Sequence, residues 1–313
     1  MNYKIIGCPV SCGQKMQGTE LGPKFLRYFG IENQEFIIDG GDVEEPTFDK
    51  NETSMYDEKV HKPDEVLGWT RSILNEGLKA FAENNIPVFL GGDHSIAMGS
   101  VLSASMNANY SNRPLYVLWI DAHSDINSLE SSDSGNMHGM PLNYLTGKSD
   151  FPNFPKVVPI DDSNIMMMGI RSVDDEEAKI INESNITFCD MKSVNDGSAY
   201  KILDKFLKDV VVNNGILHVS FDLDFLDPEL MPGTGTAVED GGTIEQAEEI
   251  FKIVMNNLHV LGSLDIVELN PLLDRKNQSI KTIKKMKTIF KKAIANECNR
   301  RNILKNTSKN HIA

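Results

Sequence analysis

At 313 residues and 34.9 kDa, with 40% hydrophobic side chains, the chain has the material for one large α/β domain or two ordinary ones. Its start, Met1 to Gly7, reads as a short strand rather than a basic region followed by an apolar stretch, and no run approaches the roughly 18 apolar residues that span a bilayer; neither a signal peptide nor a membrane anchor is expected. The net charge of −14 argues against nucleic acid as the main partner and favours attraction of a small cationic substrate.

In chain order, the strand Tyr3–Gly7 is followed by a second β-rich run, Phe36–Asp39, and a polar, Pro-containing loop over 45–64. Glu65–Asn84 then carries Val66, Trp69, Ile73, Leu74, Leu78 and Phe81 at three-to-four spacing, the stripe of an amphipathic helix. From there strands and helices alternate: strand Pro87–Leu90, helix Ser95–Met106, strand Leu115–Ile120, a second polar loop over 147–164, strand Ile165–Gly169 and helix Asp174–Ile181. Strand Ile186–Phe188, helix Ala199–Val212, strand Leu217–Phe221, helix Thr243–Asn256, strand His259–Val267 and helix Ser279–Ala295 complete the pattern. Alternating β and α units predict a mainly parallel sheet covered by helices on both faces. With no internal repeat and no linker, one domain over 1–295 is expected, followed by a basic tail at 296–313.

Two compositional features qualify this reading. Cys8, Cys12, Cys189 and Cys298 are few and scattered, which suits a reducing, cytoplasmic setting; the Cys8/Cys12 spacing lacks a partner pair and reads as ordinary structural thiols. Residues 281–313 hold ten Lys/Arg against Glu297 alone, a net of +9 that leaves −23 on residues 1–280. A solvated helix face with a frayed tail accounts for the basic end, and docking on an acidic neighbouring subunit is the alternative.

The chemistry concentrates where strands end. Pro87–Leu90 runs into Gly91-Gly92-Asp93-His94-Ser95, Leu115–Ile120 into Asp121-Ala122-His123-Ser124-Asp125, and Leu217–Phe221 into Asp222-Leu223-Asp224. In parallel α/β sheets, ligands bind outside the carboxyl ends of the strands. Side chains alternate along extended chain, so Asp121, His123 and Asp125 can project together, as can Asp222 with Asp224. Alone, an Asp-x-Asp at a strand end is often a turn or a helix cap, and Gly-Gly-Asp-His a tight turn. Together they are two histidines and four aspartates, more than one ion needs; that much buried negative charge requires cations. Mostly oxygen donors with a minority of imidazole favour two manganese ions over zinc.

At this point the chain resembles the ureohydrolases, and among them the arginases, over roughly residues 4–275. The resemblance rests on Gly7-x-Pro9, Gly13-Gln14, Gly18-x-Glu20-x-Gly22-Pro23 and Leu26-Arg27, and on the three metal motifs. It continues through Ser134-Gly135-Asn136-Met137-His138-Gly139, Gly169-Ile170-Arg171-Ser172-Val173-Asp174, Ser220-Phe221-Asp222-Leu223-Asp224-Phe225-Leu226-Asp227-Pro228 and Leu264-Asp265-Ile266-Val267-Glu268-Leu269-Asn270-Pro271. What it implies is a three-layer α/β/α sandwich on a mainly parallel sheet of about eight strands, and an amidinohydrolase that uses two Mn2+ per subunit. One ion would lie on His94, Asp121, Asp125 and Asp222, the other on Asp121, His123, Asp222 and Asp224, with Asp121 and Asp222 bridging. The implied reaction is hydrolysis of L-arginine to L-ornithine and urea by a metal-bridging hydroxide attacking the guanidinium carbon.

The remaining roles follow from the same resemblance. Asp125 orients the nucleophile, Glu268 holds the guanidinium as a carboxylate fork, and His138 transfers a proton. Asn127, Ser132, Ser134, Asn136 and Thr236 belong to substrate binding, with Asp174 facing the α-ammonium. Agmatinases usually lack Ser-Gly-Asn before His-Gly, which sets agmatinase, guanidinobutyrase and formimidoylglutamase behind arginase as alternatives; a catalytically silent metal-binding scaffold is a more distant one. The family tends to form trimers or hexamers, so a homo-oligomer is expected. One departure stands out: Ala237-Val238-Glu239-Asp240 precedes Gly241-Gly242, one residue longer than the family pattern after Gly235-Thr236.

Overall fold

The computed structural model describes residues 2–30 and 36–287. Eight strands form one sheet: β1 (Tyr3–Cys8), β2 (Ile37–Asp42), β3 (Ile86–Gly91), β4 (Leu115–Ile120), β5 (Ile165–Ile170), β6 (Thr187–Asp190), β7 (Ile216–Asp222) and β8 (Leu261–Val267). Their order is β2-β1-β3-β8-β7-β4-β5-β6, and every pairing is parallel. The helices are α1 (Gly22–Gly30), α2 (Pro63–Ala82), α3 (Ala97–Tyr110), α4 (Pro141–Thr146), α5 (Asp175–Asn182), α6 (Met191–Asn195), α7 (Ser198–Val212) and α8 (Ile244–Met255), with a further helical stretch over 278–287.

Alternation along the strands builds two cores. Ile6, Phe89, Val117 and Trp119 face one side, where α2 and α3 bring Val66, Ile73, Val101 and Leu102. Ile5, Val88, Leu90, Tyr116 and Leu118 face the other, against Leu26 of α1, Leu203 and Phe206 of α7, Ile250 and Phe251 of α8, and Ile283 and Met286. A sheet buried on both faces needs unbroken apolar strands, which is why β3, β4 and β5 are buried at every position. The edge strand β2 is the opposite case, exposed along most of its length, and Asp39, Gly40, Gly41 and Asp42 blunt it against further pairing.

Several boundaries differ from the periodicity. Helix α1 was hidden because only nine residues carry it and Gly-Pro opens it. Helix α2 begins at Pro63, where Lys62 turns left-handed and Pro takes the first helical position. Asp174 and Thr243 lie outside their helices as N-caps, each closing a capping box with Glu177 and Gln246. The stretch Leu258–Val260 coils into a short 3-10 turn before β8, so His259 is not in the strand. The sheet extends one residue beyond the run predicted for β7, to Asp222 itself. Of the expected helix Ser279–Ala295, residues 288–295 lie outside the described residues, as does the tail 296–313.

Candidate metal and active site

The four central strands of the sheet, β3, β8, β7 and β4, lie side by side, and each delivers functional side chains from its carboxyl end. His94 follows β3, Glu268 follows β8, Asp222 and Asp224 close β7, and Asp121, His123 and Asp125 follow β4. Positions from 94 to 268 thus meet because the strand order interleaves them.

His94 Nδ1 lies 3.1 Å from Asp121 Oδ2, 3.0 Å from Asp125 Oδ2 and 3.1 Å from Asp222 Oδ2. His123 Nδ1 lies 3.0 Å from Asp224 Oδ2 and 3.5 Å from Asp121 Oδ1. Two groups able to hold a metal emerge, His94–Asp121–Asp222 and Asp121–His123–Asp224. Asp121 belongs to both; Asp222 stands in the first alone, and Asp125 approaches through His94.

The turn reading and the metal reading of these aspartates hold at once, because each carboxylate divides its oxygens. Asp222 Oδ1 accepts the Asp224 amide at 2.7 Å while Oδ2 faces His94. Asp121 Oδ1 accepts the His123 amide at 2.6 Å, and its Oδ2 accepts Trp119 Nε1 at 3.0 Å. Asp224 Oδ1 accepts the Ala122 amide at 3.1 Å and Oδ2 turns to His123. Asp125 and Glu268 are held at φ of 47° and 65°, unusual for residues with a Cβ and a mark of backbone constrained at a working site.

Electrostatics carry the same message. Burial, then the neighbouring Asp224 and Asp121, push the Asp222 carboxyl well above its ordinary range; burial, then Asp121, also raises Asp125 and Asp224. Burial opposes charge on His123, yet Asp224 and Asp121 outweigh it and push the imidazole up to about 12. The field that holds a proton there is the field a cation would meet. His94 Nδ1 is a buried nitrogen with no hydrogen-bond partner, aimed among three carboxylates, so the residues fit a bound metal.

Beside the cluster, Glu268 is fully enclosed. Its Oε1 accepts the His94 amide at 2.8 Å and His138 Nδ1 at 3.0 Å, and its Oε2 accepts Gln14 Nε2 at 2.8 Å. Burial lowers the affinity of His138 for a proton, but Glu268 reverses this and takes the imidazole to about 9. Burial, then Glu268, raises Asp93 to about 6; its oxygens accept Gly13 N at 2.7 Å and Ser95 N at 3.0 Å.

The outer residues arrange themselves differently. Asn127 Nδ2 donates to Asp174 Oδ2 at 2.8 Å, and Asn127 Oδ1 accepts Ser131 Oγ at 2.7 Å. The buried Ser132 hydroxyl closes its own turn by accepting the Gly135 amide at 3.1 Å, while Ser134 Oγ accepts Asn136 N at 3.2 Å. Asn136 Oδ1 is buried without a partner. Thr236 turns inward, donating to Asp224 Oδ2 at 3.1 Å. The lengthened loop is pinned by Arg171, whose guanidinium donates to the carbonyls of Val238 and Glu239 and, at 2.7 Å, to that of Asp224.

Sequence reasoning assigned no role to Gln14, Lys15, Arg171, Trp119, His218, Ser220 or Asp265. A signal for part of this set was present: counting back by two from Asp222 along β7 reaches Ser220 and His218, polar residues on the ligand-bearing face. Lys15 Nζ donates to Ser134 O at 2.9 Å, a contact between distant loops that no periodicity encodes.

A parallel α/β sheet whose carboxyl edge gathers buried His/Asp groups able to hold metal, with a buried Glu–His pair beside them, defines the class as a metal-dependent hydrolase. A family model described as the Arginase family matches residues 1–292. An arginase of Agrobacterium fabrum is 37% identical over 289 residues, covering 90% of this chain and 87% of that protein. The structures of Bacillus caldovelox arginase and of Entamoeba histolytica arginase in complex with L-ornithine each align with a TM-score of 0.80 at 29% identity, over 92% of this chain and 98% of theirs. The chain belongs to the arginase family.

Proposed function

We propose that this arginase-family hydrolase converts L-arginine to L-ornithine and urea, with two manganese ions per subunit on His94, Asp121, His123, Asp125, Asp222 and Asp224. The observation that carries the reading is the cluster itself: His94 Nδ1 faces the carboxylates of Asp121, Asp125 and Asp222 at 3.0–3.1 Å, and His123 Nδ1 faces Asp224 at 3.0 Å. When bound, such cations lower the pKa of water to about 7 and so supply a nucleophile at neutral pH.

The protein's own groups do the rest. Asp125 accepts a hydrogen bond from the attacking water and orients it. Glu268 receives the guanidinium; its Oε1 is engaged twice, so the contact falls to Oε2, where Gln14 now donates. His138, held through Nδ1 by Glu268, delivers a proton from Nε2 to the leaving amine. Asn127, Ser132, Ser134, Asn136 and Thr236 line the approach, and Asp174 faces the α-ammonium. The amide and hydroxyl donors of Asn127, Ser134 and Asn136 support arginine over agmatine, because they suit the α-carboxylate that agmatine lacks, whereas Asp174 suits the ammonium that both carry.

The same proposal takes residues 1–295 as one catalytic domain with a basic tail at 296–313, in a homo-oligomer, a trimer or hexamer, working in the cytoplasm. The span of the family match over 1–292 and the free, buried Cys8, Cys12 and Cys189 support this setting. No helix among the described residues is long and apolar enough to cross a membrane. A urea assay with arginine and manganese tests the function; no urea under those conditions, from protein that has taken up the metal, refutes it.

A further inference from the structure

Behind His94, in the middle of the sheet, lies a buried polar network that the reaction does not use directly. Register pairs His218 of β7 with Ser263 of β8, and Ser220 with Asp265, so four polar side chains face one another across adjacent central strands. All four are fully enclosed, as is Ser100 of α3 above them. Asp265 Oδ1 accepts Ser220 Oγ at 2.5 Å, and its Oδ2 accepts Ser100 Oγ at 2.7 Å and His218 Nε2 at 3.0 Å. His218 Nδ1 in turn meets Ser263 Oγ at 2.7 Å. A buried carboxylate costs stability, and apolar residues of similar volume often fill such a place more favourably, so a network of this kind calls for a task.

We propose that Asp265 is a positioning residue for His94, acting through Ser220 to set the imidazole's tautomer and rotation for metal binding; this rests on reading the His94–Asp121–Asp222 group as a metal site. A count of protons gives the direction. Three donors converge on Asp265, which acts as acceptor only. A serine hydroxyl has one proton, and Ser220 commits it to Asp265 Oδ1. Toward His94 Nε2, 2.8 Å away, Ser220 Oγ can therefore only accept. The His94 proton is then on Nε2 and the lone pair on Nδ1, the atom that faces Asp121, Asp125 and Asp222.

Trp119 completes the hold. Its ring stacks on the imidazole with centroids 4.1 Å apart and planes 6° apart, so Trp119 fixes the ring plane and Ser220 its rotation. The relay is carboxylate to hydroxyl to imidazole to metal, a variant of the carboxylate–histidine pairing that orients ligands and raises their basicity. His123 has no such relay among the described residues, and its side chain is 24% exposed. The device therefore serves one site of the two.

The test strips the full-length protein of metal with a chelator and titrates it with Mn2+ alone, reading free Mn2+ by electron paramagnetic resonance. Parent, Ser220→Ala and Asp265→Asn are compared. Losing an outer-shell partner of this kind weakens metal binding about 10–100-fold, and that loss should fall on one of the two ions while the other stays close to the parent. Should Asp265→Asn not fold, Ser220→Ala decides, since it deletes one hydroxyl and leaves the charge. Unchanged binding of both ions in Ser220→Ala, or equal weakening of both, overturns the relay. A parent that takes up no Mn2+ overturns the metal reading, and the relay with it.

Discussion

The inner cluster and the outer rim of this site are built on different principles. Inner residues sit at the ends of four neighbouring strands, where register places each one, and nearly every carboxylate has one oxygen tied to a backbone amide and one turned to the centre. Most rim residues sit on the loop between β4 and α4, with Asp174 at the start of α5, and satisfy one another: Asn127 with Asp174 and Ser131, Ser132 with Gly135, Ser134 with Asn136. The cluster's crowded, buried carboxylates call for cations, since without them burial and mutual repulsion hold the Asp222 carboxyl well above its ordinary range. The rim's polar groups, Asn136 Oδ1 excepted, are paired internally and must exchange those hydrogen bonds for substrate bonds. Chemistry should therefore be all-or-none in the first region and graded in the second.

The largest expected effect tests the first half of that contrast. Asp121→Ala removes the carboxylate common to both metal groups. Urea formation should be lost, and elemental analysis should find less manganese than in the parent. Two retained ions with most of the activity would show that Asp121 does not bridge.

Substrate choice tests the second half. The guanidinium end of arginine and agmatine is the same, so discrimination belongs to the rim, and arginine should exceed agmatine in kcat/KM by at least about 10³. Comparable rates would replace arginase with agmatinase as the reading. Asn127→Ala should shrink this ratio, since it removes an amide suited to the carboxylate, whereas Asp174→Ala should raise KM for arginine and agmatine alike, both with metal content unchanged. Because Asp174 also caps α5, that variant loses about 1 kcal/mol of helix stability as well. Asp174→Asn keeps a capping oxygen without the charge, so a KM effect in both variants belongs to the substrate, and one confined to Asp174→Ala belongs to the cap.

His138 lies on the boundary between the two regions. His138→Asn should keep both metals and lose about 10²–10⁴ in kcat, the scale of a lost proton transfer. Metal loss in its place would make His138 a ligand.

The smallest effect concerns stability. Glu268 raises His138 from 6.5 to about 9 against the cost of burial. A raised folded-state value stabilises below the unfolded value and is lost as pH rises through the folded one. The chelated parent should therefore lose Tm between pH 6.5 and about 9, and His138→Asn should lose less. Equal pH slopes would deny the pair its contribution.

Much of the inner region was legible in the sequence, and the physical reason is local. An Asp-x-His-x-Asp after an apolar strand states both its element and the side from which the side chains project. The capping boxes at Asp174 and Thr243 are equally local, four residues each, but periodicity counted both residues into their helices. Parallel strands and helical stripes follow from short-range periodicity, so the layered α/β architecture was within reach. Tertiary structure alone decided which strand ends would meet: β3, β8, β7 and β4 are adjacent although loops and helices separate them in the chain. It alone also placed Ser220 against Asp265, Arg171 over the lengthened 237–242 loop, and Lys15 against Ser134. Each of those contacts joins residues distant in sequence through one or two hydrogen bonds. Periodicity reports which face a side chain takes, and only the strand order and the packed loops report what stands opposite.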